Sequence, residues 1–203
     1  MKEIITADGS STYFSEEYQE AYHSITGAQE EAHKKFVGPA KEKKNPKILD
    51  ICFGLGYNSA AALEVFEKCN IVGLEKDPEI LKKIVKMNPP FTTYNKIKKA
   101  REEKEQEIKI ILGDAQETIK LLPDEEFDVI FLDPFSPKKC PELWSETFLK
   151  NVYQKTAPEG ILTTYSCAKI VRQNLIKAGF YVQDGPKVGR RGPATIATKT
   201  LIN

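Results

Sequence analysis

Apolar residues recur along this chain in two alternating patterns: short, nearly continuous runs, and longer stretches with apolar positions three or four apart. The first suits buried strands and the second amphipathic helices. Lys47-Ile48-Leu49-Asp50-Ile51-Cys52-Phe53 predicts a strand ending in a turn at Gly54, followed by a helix over 58–68 that carries Ala61, Leu63 and Phe66. Ile71-Val72-Gly73-Leu74 predicts a second strand closed by Glu75. Asp77-Pro78 reads as a helix N-cap with proline at the first helical position, ahead of Ile80, Leu81, Ile84 and Val85. Ile108 to Leu112 and Phe127 to Leu132 predict two more strands, the latter apolar enough to be covered on both faces. A helix on Trp144, Phe148, Val152 and Tyr153 leads to a turn at Pro158-Glu159-Gly160 and a strand from Ile161 to Tyr165. A helix on Ile170, Val171, Leu175 and Ile176, ending at Gly179, and strands around Tyr181 and Ile196 complete the series. Ahead of these elements, residues 15–36 open on Ser15, Glu16 and Glu17 and space Tyr18, Ala21, Tyr22 and Ile25 for a helix. Gly27 divides it from a second helix on Ala28, Ala32 and Phe36, while the charged stretch over 96–107 predicts a solvated helix.

The alternation predicts an α/β, Rossmann-like fold: a mostly parallel seven-stranded sheet with an antiparallel C-terminal hairpin and helices on both faces. Residues 46–203 hold it, and residues 1–45 are a helical lead-in packed on the core. At 203 residues, with 30 Lys+Arg against 29 Asp+Glu, the chain excludes nucleic-acid binding through bulk charge, so any such contact needs a local basic cluster. The start offers no secretory pattern and no apolar run approaches membrane-spanning length, so a cytoplasmic protein is expected. Cys52, Cys69, Cys140 and Cys167 are scattered without a CxxC pair, and the only histidines are His23 and His33; free thiols and no metal site are expected. Cys52 reads as packing, Trp144 as a core or rim anchor, and both histidines as solvated helix residues.

In open α/β sheets, ligands bind beyond the carboxyl ends of the strands. The first strand end carries Gly54 and Gly56, which allow close backbone approach. The third glycine of a dinucleotide fingerprint is replaced by Ser59, which disfavours a pyrophosphate ligand. Glu75 stands where a ribose-binding carboxylate belongs, and the next two strands end in Gly113-Asp114-Ala115 and Asp133-Pro134-Phe135. A glycine turn followed by three acids is the layout of an S-adenosyl-L-methionine (SAM) dependent methyltransferase. Glu75 would take the ribose hydroxyls, Asp114 the adenine amino group, and Gly54 and Gly56 would leave room for the methionine end, with Asp50, Phe53, Asn58, Ala115 and Asp133 completing the cofactor set. The plain alternative is that Asp50 and Asp114 cap helices.

Thr6-Ala7-Asp8-Gly9-Ser10, Phe53-Gly54-Leu55-Gly56-Tyr57-Asn58, Leu132-Asp133-Pro134-Phe135-Ser136-Pro137-Lys138 with Pro141-Glu142-Leu143-Trp144, and Thr164-Tyr165-Ser166-Cys167-Ala168 with Val171-Arg172 and Gly179-Phe180 together resemble the methyltransferase domain of the MnmC-type tRNA-modification enzymes. The likeness runs over nearly the whole chain. It implies methyl transfer from SAM to 5-aminomethyl-(2-thio)uridine at the tRNA wobble position, giving 5-methylaminomethyl-(2-thio)uridine. It also implies a stand-alone form without the FAD oxidase domain of the bifunctional members. Pro134 and Cys140 depart from the family pattern, where glycine and asparagine are expected.

A protonated amine has no lone pair with which to attack, so Asp133 is the candidate to bind the aminomethyl group and take its proton. The alternative is that it only braces the Pro134 turn. Phe135 and Tyr165 are candidates to wall a flipped uridine. Lys138, Lys139, Lys187, Arg190 and Arg191 are candidates for phosphate contacts, or are simply solvated. Two other functions fit the same strand ends: a methyl- or aminopropyl-transferase acting on a small amine, and a non-catalytic interaction module.

Overall fold

The computed structural model describes residues 1–102, 106–188 and 192–200. Three short strands open the chain, β1 (Lys2–Ile5), β2 (Ser11–Ser15) and β3 (Glu20–Ala21), forming an antiparallel meander. The first of the two expected N-terminal helices is therefore absent: residues 16–19 turn, and Tyr18 and Tyr22 flank β3. The second exists as α1 (Ala28–Glu31), which runs on through a π-helical stretch, Ala32–Val37.

The meander is fastened to α1 by Asp8. Its Oδ1 accepts from the hydroxyls of Thr6 and Ser10, each at 2.6 Å, and Oδ2 accepts from the backbone N–H groups of Gln29 and Glu30 at 3.1 and 3.2 Å. The Thr6–Ser10 motif is thus a clip that caps a helix from a distant turn.

The alternating part follows the expected order. It consists of β4 (Lys47–Ile51), α2 (Tyr57–Val65), β5 (Asn70–Glu75), α3 (Pro78–Ile84), α4 (Tyr94–Arg101), β6 (Ile108–Leu112), α5 (Ala115–Thr118), β7 (Phe127–Leu132), α6 (Glu146–Lys155), β8 (Thr156–Thr164), α7 (Lys169–Ala178), β9 (Tyr181–Asp184) and β10 (Thr195–Thr198). The seven strands lie in the order β6-β5-β4-β7-β8-β10-β9, with β10 antiparallel to both neighbours and the first five parallel. The solvated helix expected over 96–107 stops at Arg101, and part of that stretch lies outside the described residues. Pro158-Glu159-Gly160, expected as a turn, is a bulge within β8: Phe127 pairs with Thr156 and Val129 with Ile161, and Glu159 takes a left-handed φ of 60°.

Side chains alternate across the central strands, so the sheet has a core on each face. Ile48, Val129 and Phe131 pack with α2 and the π-helical segment, whereas Leu49, Ile51, Ile130 and Leu132 pack with α6 and α7. The chain leaves β4 toward β5 and β6, then returns to β7 on the other side of β4. That reversal opens a crevice at the carboxyl ends of β4 and β7. Among the described residues, no helix is long and apolar enough to cross a membrane.

Candidate active site

A cavity of about 460 Å³ occupies this crevice, with the strand ends on one side and residues 17–26 of the meander on the other. It lies within the size range of small-molecule sites. Gly54, Glu75, Asp114, Ala115, Asp133, Phe135 and Tyr165 all line it, so the structure brings together residues picked from five strand ends.

The turn after β4 takes a left-handed conformation at every second residue: Cys52 at φ 65°, Gly54 at 55° and Gly56 at 73°. A non-glycine residue there costs about 1–2 kcal/mol, so Cys52 is more than packing; it holds the first position of an alternating turn and lines the cavity. Burial raises its thiol well above the ordinary range, which keeps it neutral. Gly56 serves packing: a Cβ there would lie 2.7 Å from Ile97 and 2.8 Å from the Phe53 ring. Glu75 secures the turn by accepting the Gly54 N–H at 2.7 Å through Oε2 and the Asp77 N–H at 2.8 Å through Oε1. Burial raises its carboxyl, and the amides of Asp77 and Gly54 oppose the shift. Asp114 caps α5 by accepting from Gln116 N at 2.8 Å, and it also borders the cavity; the capping and lining readings hold together.

Asp133 follows β7 in a loop pinned at successive residues. Its N–H donates to Ile51 O at 3.1 Å, Pro134 O accepts from the Tyr165 hydroxyl at 2.9 Å, Phe135 O accepts from Trp144 Nε1 at 2.7 Å, and Ser136 N donates to Glu20 at 2.9 Å. Asn58 Nδ2 donates to Asp133 Oδ2 at 2.9 Å. Burial and the charge of Glu31 raise the Asp133 carboxyl well above its usual range, partly offset by the Asn58 hydrogen bond and by Lys35. Such a carboxylate is a stronger proton acceptor than a solvated aspartate.

Asp50, Phe53, Gly56 and Asn58 do not line the cavity. Asp50 is fully buried within β4, where Oδ2 accepts from Ser59 Oγ at 2.6 Å and Oδ1 has no hydrogen-bond partner among the described residues. Burial lifts its pKa to about 7, the Ser59 bond opposing and the Glu75 charge reinforcing the shift. Lys138, Lys139 and Lys187 are exposed, and Val188 lines the cavity beside Lys187. Arg190 and Arg191 lie outside the described residues. His23 is not a solvated helix residue: it stacks on Tyr57 at 4.6 Å, and burial lowers its pKa to about 4. His33 reaches Glu64 at 3.0 Å from the π-helical stretch.

The N-terminal contribution was hidden by its spacing. Tyr18 stacks on Phe135 at 4.4 Å, covering one face of that ring, and Tyr22 packs against it in a T-shaped contact at 5.0 Å. The Tyr22 hydroxyl donates to Asp77 at 3.0 Å, closing the meander over the Gly54 turn. Glu31 and Lys35 also line the cavity, although nothing in the pattern of residues 28–36 beyond their charge distinguishes them.

The profile of the S-adenosyl-L-methionine-dependent methyltransferase family matches residues 77–200. The crystal structure of MnmC2 from Aquifex aeolicus superposes with a TM-score of 0.83 at 34% identity, covering 99% of this chain and 71% of that one. An uncharacterized protein of Methanocaldococcus jannaschii is 35% identical over 210 residues, 97% of this chain and 59% of its own length. The tRNA 5-methylaminomethyl-2-thiouridine biosynthesis bifunctional protein MnmC of Methylibium petroleiphilum is 29% identical over 91% of this chain and 32% of that protein. The chain therefore spans less than two thirds of these curated relatives.

Proposed function

Because this chain belongs to the family of S-adenosyl-L-methionine-dependent methyltransferases, we propose that its methyl acceptor is the primary amine of a 5-aminomethyl-(2-thio)uridine at the wobble position of tRNA. The cofactor, when bound, supplies an electrophilic methyl group on a sulfonium. The residues present fit it: Gly54 has no side chain at the cavity, Glu75 keeps unused lone pairs on both carboxylate oxygens for ribose hydroxyls, and the acids of the rim suit a cationic ligand. Asp114 and Ala115 border the end assigned to the adenine.

Asp133 carries the acceptor reading. Its Oδ2 is held by Asn58, while Oδ1 receives no hydrogen bond from the protein among the described residues. An ammonium N–H donates to Oδ1 and passes its proton there, freeing the nitrogen lone pair. The raised pKa of Asp133 favours that transfer, and the pinned loop fixes where the amine sits. Tyr165 walls the base, and Phe135 does so from the face not covered by Tyr18. Lys138, Lys139 and Lys187, with Arg190 and Arg191, contact tRNA phosphates. The MnmC relative supports this substrate by its name.

The test is transfer of labelled methyl from SAM to aminomethyl-tRNA, with unmodified tRNA and a polyamine as controls. Aminomethyl-tRNA alone should be methylated, and Asp133→Asn should lower turnover by about 10²-fold or more while retaining SAM binding. Methylation of the polyamine instead, or near-normal turnover of the variant, would overturn the substrate or the role of Asp133 respectively.

A further inference from the structure

A buried ion pair on the meander side of the cavity enters the chemistry above only through the effect of its charges on Asp133. Lys35 is 7% exposed, and its Nζ donates to Glu31 Oε1 at 2.6 Å across one helical turn. Glu31 Oε2 accepts the backbone N–H of Ser24 at 3.2 Å, which fixes the carboxylate. Both side chains line the cavity together with Asp133. An ammonium has three N–H donors, and among the described residues Lys35 spends one, on Glu31. Burying such a pair costs desolvation energy that apolar residues of similar volume avoid, so the pair is poor evidence for stability.

An ammonium and a carboxylate fixed side by side match a zwitterion: the ammonium takes a carboxylate, and the carboxylate takes an ammonium. The methionine end of SAM is such a zwitterion, and the Gly54 turn, which lines the same cavity, is where that end is expected. We propose that Lys35 and Glu31 bind the α-carboxylate and α-ammonium of the cofactor's amino-acid end. Lys35 then sets cofactor choice as well as affinity, because an aminopropyl donor has lost the carboxylate that Lys35 binds. The inference rests on the cofactor reading of the cavity and is independent of the methyl acceptor.

The experiment is calorimetric titration of the full chain with two nucleosides, S-adenosyl-L-homocysteine, which has the amino-acid end, and 5′-methylthioadenosine, which lacks it. Lys35→Met should weaken S-adenosyl-L-homocysteine binding by about 30-fold or more, the scale for removing one partner of a buried charge pair. Binding of 5′-methylthioadenosine should change less than about threefold, the scatter expected of contacts left intact. The double variant Glu31→Gln/Lys35→Met leaves no lone buried charge and should show the same selective loss, so a folding defect in the single variant does not hide the result. Equal losses for both nucleosides, or no loss for either, would overturn the assignment. A parent protein that binds neither nucleoside refutes the cofactor reading itself, and the assignment with it.

Discussion

Replacing Gly73 with alanine tests how the cofactor turn is built. Gly73 lies mid-strand in β5, between Asp50 of β4 and Ile110 of β6, and the Phe53 ring covers it. A Cβ at this position would fall closest to Phe53 Cδ2, with Cγ at 3.0 Å and Cε2 at 3.1 Å, against about 3.5–4.0 Å for relaxed carbon contacts. The ring must yield, yet it is 3% exposed and its far edge lies against Gly56, where Cζ would come within 2.8 Å of a Cβ. Overpacking of this kind costs about 1–3 kcal/mol, and the lower chain entropy of alanine in a strand returns about 0.5–1 kcal/mol. The net loss is then up to about 2.5 kcal/mol, with a centre of about 1 kcal/mol, in urea denaturation near neutral pH. Affinity should fall with it, because Phe53 O accepts the Gly56 N–H at 2.8 Å and so ties the ring to the Gly54 turn. Adding Phe53→Leu to Gly73→Ala should restore part of the stability by clearing the space. A Gly73→Ala protein with parental stability and parental S-adenosyl-L-homocysteine affinity would refute this account.

Asp50 predicts a pH dependence of stability. Its folded pKa of about 7 lies above the unfolded value of 3.8, so its contribution is complete below about pH 4 and is lost as pH rises through about 7. Relative to wild type, Asp50→Asn should therefore gain up to about 4 kcal/mol between pH 4 and 8, measured by urea titration at several pH values. A gap between the two proteins that does not change with pH rules the buried proton out. Asp8 gives the opposite sign: burial would raise its carboxyl, but the hydrogen bonds from Ser10, Thr6 and the α1 amides outweigh that and hold it at about 2. Its stabilisation is present above about pH 4 and lost as pH falls through about 2. Discounted for the exposure of this side chain, it amounts to about 1 kcal/mol, so Asp8→Ala should lower stability by about that much near neutrality and by little at pH 2.

The sheet was legible because each strand is an apolar run bounded by glycine, proline or an acid, and the same runs place the chemistry at their ends. The N-terminal segment was not. Tyr18, Ala21, Tyr22 and Ile25 have helical spacing, yet Tyr18 and Tyr22 end on Phe135 because the meander passes over the crevice, a tertiary reason invisible to local periodicity. Cys52 packs against the core as its chemistry predicts, but its backbone has a cause that the residue type does not reveal. Its left-handed backbone follows from the turn that Gly54 and Gly56 complete, whereas side-chain chemistry alone marks cysteine as core. Asp50, the acid before a glycine turn, reads from the sequence as a cofactor ligand or a helix cap; β4 is covered on both faces, so its side chain is fully buried against Ser59 and does not line the cavity.

These corrections bear on how a neutral chain serves a cationic reaction. In the proposed reaction the sulfonium donor and the ammonium acceptor both carry positive charge until Asp133 takes the proton, and bringing them together in a low-dielectric cavity is repulsive. The acids lining the cavity, Glu75, Asp114 and Asp133 at the strand ends with Glu31 from the N-terminal segment, oppose that repulsion in their ionised forms, while burial favours the neutral form of Glu75 and Asp133. Lys35 enters the same cavity already paired to Glu31, adding a cation without adding net charge to the wall. Under the proposed assignments, that pairing lets the cavity hold a lysine near a sulfonium and select a carboxylate there without repelling the amine that approaches Asp133.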